Sequence, residues 1–270
     1  MEIKLILESG RAFFSIVFLL YASWSDFKTR EVSNTIWILL APSVFTLTSL
    51  QIFFYEPSHL TFYGVSFAVT TAFALILFYS GGFGGADAKA LMCLALALPF
   101  YPENLFTPIS GITSPISQNF FPITVFSNSV LLAAATAVYL FSHNIFWHWR
   151  TGRKLFEGHE KESFGRKILV LLTGYKVSVN RLKEKWHLYP MEDIEENVEN
   201  VHKRKLVVIP RDKGRNEIVQ RLAKAVEAGK INDAVWATPG LPMLIFITAG
   251  LIISLFFGDI VWVCIHFFLG

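Results

Sequence analysis

The chain has 270 residues, of which 53% are hydrophobic and 17% charged, and its formal net charge is +3. Soluble domains of this length carry about 25% charged residues, so the composition excludes an ordinary water-soluble globule. The apolar residues come in long blocks, as membrane spans do. The 26 Phe and 7 Trp supply bulky side chains for lipid contact and for span ends. Cys93 and Cys264 both lie inside apolar blocks. With no Cys-x-x-Cys pair, a cysteine-based zinc site is excluded, and the two read as buried single thiols. His143 and His148 are five apart, a spacing that a helix does not stack on one face, and they read as interfacial residues. No metal and no cofactor is expected.

Residues 1–25 carry Lys4, Arg11 and an apolar run that could pass for a secretory signal. Ala22-Ser23-Trp24-Ser25-Asp26 is a poor small-residue cleavage site, however, and more apolar segments follow, so the run is read as a retained first span. Six spanning candidates result, at 12–24, 35–54, 60–79, 88–100, 123–146 and 241–257. The fourth is short enough for a re-entrant element, and charge decides the matter. Residues 149–235 hold 19 of the 24 Lys and Arg. Lys28, Arg30 and Lys89 sit at the tight connections near 27–34 and 81–89, whereas connections 55–59 and 101–121 contain none. Six spans place all 22 of these charges on one side, so the positive-inside rule favours six spans with both termini outside.

The expected fold is an all-α membrane protein of six transmembrane helices, with a small α+β cytoplasmic insert between the fifth and sixth. The divisions are 1–148 for the first five helices, 149–235 for the insert and 236–270 for the last helix. Within the insert, 167–172 is a short apolar stretch that could lie on the membrane. Residues 175–179 and 205–209 alternate as strands do. Ile218, Leu222, Ala225 and Val226 repeat at helical spacing, which predicts an amphipathic helix over 216–228. The acidic run 191–200 reads as a solvated loop or helix face.

Few carboxylates belong to the membrane portion. Asp26 closes the first span, Asp87 opens the fourth, and six-span parity puts both at the cytoplasmic face. Asp259, about 18 residues past Leu241, falls near the outer face and does not easily meet them. Taken singly, each has a structural reading: Asp87 follows Gly84-Gly85-Ala86 as an N-cap would, and Asp26 is a solvated juxtamembrane charge. As a pair on one face they can share a proton, because close like charges do not both ionise cheaply. The ionised member then removes a proton from water while the neutral member polarises a scissile carbonyl, which is aspartyl peptidase chemistry. Glycines at 81, 82, 84 and 85 clear side chains from beside Asp87 and let an extended peptide approach the backbone. The competing reading is a non-catalytic transporter or assembly scaffold that uses the same aspartates as a cation site or as helix caps. No internal symmetry of the transporter kind is visible.

Four stretches resemble the archaeal preflagellin peptidases and type IV prepilin peptidases, which are GxGD membrane aspartyl proteases. Ser25-Asp26-Phe27-Lys28-Thr29-Arg30-Glu31-Val32-Ser33-Asn34 is similar to the first catalytic motif, and Gly84-Gly85-Ala86-Asp87-Ala88-Lys89 to the second. Phe121-Pro122-Ile123-Thr124-Val125-Phe126-Ser127-Asn128 resembles the start of the fifth span. Trp236-Ala237-Thr238-Pro239-Gly240-Leu241-Pro242 resembles the approach to the final span. The resemblance implies that Asp26 and Asp87 are the catalytic pair, supported by Lys28, Arg30, Asn34, Gly84, Gly85 and Lys89. It implies substrates with class III signal peptides, that is precursor archaellin or pilin subunits whose short basic leader precedes a hydrophobic helix, cut at the cytoplasmic face of the cell membrane. The lipid bilayer is the other partner, and no nucleic acid is expected. The chain departs from the motif where Ala86 replaces the glycine before the second aspartate, and Ala disfavours positive φ. It also lacks the paired zinc cysteines of many bacterial relatives that methylate the new N-terminus, so peptidase activity alone is implied.

Overall fold

The computed structural model describes residues 2–81, 83–196, 202–207, 214–240 and 242–269. Its contacts divide the chain into two units, Met1–Ala133 with Pro242–Gly270, and Ala134–Leu241.

The first unit is helical. It contains α1 (Glu2–Thr29), α2 (Asn34–Tyr55), α3 (Leu60–Tyr79), α4 (Gly85–Ala97), the short α5 (Pro115–Asn119) and the first part of α6 (Phe121–Thr151). Helix α1 begins well before the apolar run at 12–24, because Glu8 and Arg11 are buried and held inside the unit. Arg11 donates to the Ala97 carbonyl (3.0 Å) and to Gln51 (2.7 Å), and Asn104 donates to Glu8 (2.9 Å). Hydropathy alone starts such a helix too late. The Ser33 hydroxyl caps α2 by accepting the Thr35 N–H, and Pro57 opens the short turn before α3. Helix α4 runs three residues earlier than the apolar segment at 88–100, since Gly84 and Asp87 start it and Pro99 stops it. At about 1.5 Å per residue its 13 residues cover only about 20 Å of a hydrocarbon core of about 30 Å.

Three helical stretches are long and apolar enough to cross a membrane: Asn34–Tyr55, Pro57–Tyr79 and Phe121–Thr151. A bent pair makes a fourth if it is one span. That pair is α10 (Met243–Phe256) followed by a second helix, Ile260–Leu269, which is not foreseen in the apolar pattern ending at 257. The axes turn by 58° at Gly258-Asp259, where glycine takes φ +98°. The core of the first unit is built by Leu19 and Ala22 of α1, Trp37 and Leu40 of α2, Leu94 of α4, and Leu244, Ile247 and Leu251 of α10. Cys93 is buried within it, whereas Cys264 is exposed on an apolar helix, contrary to the buried reading.

The second unit adds to the end of α6 a small α+β body: α7 (Phe164–Thr173), β1 (Tyr175–Val177), α8 (Val179–Glu184), β2 (Leu188–Pro190), β3 (Glu192–Glu196), β4 (His202–Leu206), α9 (Arg215–Glu227) and β5 (Val235–Pro239). With these elements placed, Ile260–Leu269 is α11. Strand β5 is central in the antiparallel order β1-β5-β2, with Lys176 opposite Trp236 and Tyr189 opposite Thr238. Strands β3 and β4 form a separate antiparallel pair. The predicted helix over 216–228 is α9, shifted by one residue. The predicted strand at 175–179 is β1, shortened because Ser178 caps α8. The strand expected at 205–209 lies at 202–206, and 208–209 fall outside the described residues. Neither β2 nor β5 is foreseen: β2 has only three residues, and β5 buries Val235, Trp236 and Ala237 in succession and so does not alternate.

The acidic run needs correction. Residues 192–196 form a strand, not a solvated loop or helix face, while 197–200 lie outside the described residues. Glu192 is fully buried and receives Arg204 at 2.8 Å and His159 at 2.9 Å, with Lys176 at 3.7 Å. Three positive or protonatable side chains surround it, which is what a buried carboxylate requires. Asp193 is taken up by a two-pronged bond from Arg221, at 3.0 and 2.7 Å.

Candidate active site

Asp26 stands one turn before the end of α1. The helix stops because Arg30 takes the left-handed conformation, φ +58°, which is uncommon outside glycine. The turn is held by the Ser25 and Thr29 hydroxyls, which donate to the Glu31 carbonyl at 2.8 and 3.0 Å. The half-buried Asp26 carboxyl then faces the backbone N–H of Leu244, in the first turn of α10, and lies within reach of the Arg30 charge. First-turn amides of a helix have no partner inside it, so an anion is well placed there. Helix α10 is fixed against α1 by polar side chains. Ser23 donates to the Leu244 carbonyl (2.8 Å) and pairs with Thr248 (2.6 Å), which bonds the Leu19 carbonyl (3.1 Å). Leu244, Ser23 and Thr248 are not read from the sequence as site elements. The available signal is that Ser23 and Thr248 are small polar residues within apolar segments.

Asp87 is buried in the first turn of α4, where its Oδ2 accepts the Gly84 N–H at 3.0 Å. A Cβ on Gly84 would stand 3.1 Å from that oxygen, so glycine here permits the close approach of carboxylate to backbone. Gly85 is different: its Cβ position would meet Phe78 at an ordinary 3.6 Å. Ala86 occupies a helical position. Among the described residues Arg30 is the one non-glycine with positive φ, so the alanine that departs from the motif carries no backbone strain. Lys89 donates to Asn34 Oδ1 at 2.7 Å and thereby ties the start of α4 to the start of α2. Lys28 lies over the Trp24 ring, 5.0 Å from its centroid.

Asp26 and Asp87 lie within electrostatic range of one another, though they come from helices far apart in sequence. Among the described residues no hydrogen bond joins the two carboxylates. Asp259 lies just beyond the far end of α10, which runs about 18 Å from Leu244 to Phe256. It accepts the Ser114 hydroxyl (2.7 Å) and the Trp262 N–H (3.1 Å), capping α11. Among the described residues no three His, Cys, Asp or Glu side chains are grouped to hold a metal ion.

Residues 13–138, which include both aspartates, match the Type IV leader peptidase family. Residues 166–260 match Archaeal Peptidase A24 C-terminus Type II. The chain is similar to the preflagellin peptidase of Methanococcus voltae, 28% identical over 246 residues that cover 89% of this chain and 92% of the relative. Preflagellin peptidases of Methanococcus maripaludis (22% over 250 residues, covering 89% and 92%) and Methanocaldococcus jannaschii (23% over 246, covering 89% and 91%) are similar over nearly the same length. Its N-terminal and C-terminal portions thus match two models of one peptidase group, and over most of its length the chain is similar to type IV leader peptidases.

Proposed function

We propose that this chain is a membrane-embedded aspartyl endopeptidase that removes the short basic leader of pre-archaellins or archaeal type IV prepilins at the cytoplasmic membrane face. The matched family and the preflagellin peptidase relatives support a protease that processes leader peptides. The observation that supports the aspartyl mechanism is the placement of Asp26 in the last turn of α1 and Asp87 in the first turn of α4, with Asp26 near enough to act on Asp87 electrostatically. In this reading the ionised member takes a proton from water and the resulting nucleophile attacks the scissile carbonyl, which the neutral member polarises. Gly84 and Gly85 leave room for an extended substrate backbone beside Asp87. Arg30 orients Asp26, while Lys89 and Asn34 hold α4 against α2. Lys28 marks the positive membrane edge.

The corresponding topology has six spans, formed by α1, α2, α3, α4, α6 and the α10–α11 pair, with both termini outside. Residues 1–148 and 242–270 form the membrane portion and 149–241 the cytoplasmic insert, the boundary expected at 236 moving because β5 belongs to the insert's sheet. The basic character of 149–235 and of the connections bearing Lys28, Arg30 and Lys89 supports this orientation.

Membranes carrying Asp26→Asn, Asp87→Asn or Asp259→Asn, incubated with a pilin-like precursor bearing a basic leader, test the reading. Each change in the pair should lower cleavage by about 10²–10⁴-fold with normal membrane insertion. Asp259→Asn should cleave nearly as the parent does, since Asn also caps helices. Full cleavage by either Asp26→Asn or Asp87→Asn refutes the assignment.

A further inference from the structure

Helix α7 presents an apolar face that is exposed among the described residues. Phe164 is 78% exposed and Ile168 38%, one turn apart on the same face, and Leu169, 47% exposed, flanks that face away from Val170. The opposite side is committed: Val170 is buried with Met191, Leu206 and Trp236 in the core of the second unit. The outward face is therefore turned away from the strands. At 10 residues, about 15 Å, α7 is far too short to span a bilayer.

Its depth is set by α6. The side chain of Asn144, on α6, donates to the carbonyls of Leu171 (2.9 Å) and Gly174 (2.7 Å) at the C-terminal end of α7. Asn144 lies about 35 Å along α6 from Phe121, just beyond a hydrocarbon core of about 30 Å. Exposed Phe146 and Trp149 follow at once, as aromatic residues do where a span meets the headgroups. The end of α7 is thus fixed at the level where α6 leaves the bilayer.

We propose that α7 is an interfacial helix, lying in the membrane surface with Phe164, Ile168 and Leu169 among the acyl chains and holding the polar unit against the leaflet from which α6 emerges. Apolar contact, not charge, holds it there. Arg166 is bridged to Glu162 (3.1 Å), and Lys167 donates to the Glu160 carbonyl (3.0 Å), so neither is reserved for anionic headgroups. The partner is the lipid surface itself, and electrically neutral lipid suffices.

The test uses the full chain with Cys93→Ala and Cys264→Ser, reconstituted in neutral phosphatidylcholine vesicles. Spin labels go on single cysteines replacing Phe164, Ile168 or Leu169, with Val138→Cys on exposed α6 as lipid reference and Gln220→Cys on exposed α9 as water reference. Collision with oxygen, which partitions into lipid, is compared with collision with a water-soluble nickel chelate. The α7 labels should show an oxygen-to-nickel ratio severalfold above that at position 220, unchanged by salt. A water-like ratio at α7 overturns the proposal, as does shielding from both reagents, which means that protein covers the face. A water-like ratio at position 138 removes α6 as a span and the proposal with it. The Asp26→Asn cleavage result is independent of all these outcomes.

Discussion

Replacing Glu192 by Gln keeps its shape and removes one buried negative charge from among His159, Lys176 and Arg204. Those neighbours, acting against the cost of burial, hold the Glu192 carboxyl down at about 2, from an ordinary value of 4.5. A displacement of that size corresponds to about 3 kcal/mol of stability. The mutational cost of breaking a buried ion pair gives a similar figure, about 3–5 kcal/mol. The pH range follows from the sign. The folded-state value lies below the unfolded one, so the unfolded chain binds more protons between them. The stabilisation is complete above about pH 4.5 and is lost as pH falls towards about 2. Limited trypsin digestion of the full chain in detergent, with urea and pH varied, reads the second unit selectively because most of the Lys and Arg lie there. Glu192→Gln should expose that unit at clearly lower urea at pH 7, and should lack the acid step seen in the parent. Equal urea resistance of variant and parent at pH 7 would refute the account of the buried cluster.

Other substitutions separate packing from chemistry. Lys176→Met should change stability at pH 7 by only about 1 kcal/mol, because burial holds this lysine at about 8, and its desolvation cost offsets its pairing with Glu192. The same urea series checks it. Gly84→Ala sets a methyl 3.1 Å from Asp87 Oδ2, so kcat for precursor cleavage should fall about tenfold with KM little changed. Ala86→Gly should leave cleavage within about twofold, since position 86 does not use positive φ. Gly250→Ala drives a Cβ to 2.7 Å from the Val125 carbonyl, between α10 and α6, and should cost about 1–3 kcal/mol in a thermal melt.

Much of the membrane portion is legible because long apolar blocks have no soluble alternative. The boundaries are less so, for two physical reasons. Glu8 and Arg11 extend α1 past its apolar run because Asn104 and, for Arg11, Gln51 and the Ala97 carbonyl satisfy them inside the unit, and such bonding is invisible to hydropathy. Asp259 breaks the last apolar stretch into α10 and α11 by capping the second, a role that looks from sequence like an isolated charge. In the insert, periodicity finds α9, because 13 residues show an amphipathic pattern. It misses β2, which has three residues, and β5, whose first three residues are all buried and show no alternation. The acidic run misleads most. Glu192 looks like its neighbours, and only the strand pairing that sets it inside, beside Lys176 and Arg204, distinguishes it. At the site, Asp26 and Asp87 are readable as side chains. The Leu244 amide that faces Asp26 is a backbone group, and no residue type announces it.

Among the described residues no hydrogen bond joins the two proposed catalytic carboxylates: Asp87 accepts the Gly84 N–H at 3.0 Å, while Asp26 faces the first turn of α10 at Leu244. Sharing a proton requires oxygens about 2.5–3.0 Å apart, so a working pair needs either an intervening water or a closing movement. The means for closure lies before α4. Gly81 takes φ +78°, and among the described residues no heavy atom lies within 4 Å of its Cβ position, so there is room beside it for the backbone to move. A substrate strand bound beside Gly84 would compete for the N–H that now holds Asp87 and release the carboxylate towards Asp26. A chain with Asp26→Cys and Asp87→Cys, lacking Cys93 and Cys264, is expected not to cleave, so the precursor stays bound intact. A disulfide forms only when the Cα atoms come within about 7 Å. Oxidative cross-linking should therefore be slow in the resting chain and severalfold faster with the precursor present. Cross-linking at one rate in both conditions would show that the pair is already assembled and that substrate plays no part in closing it.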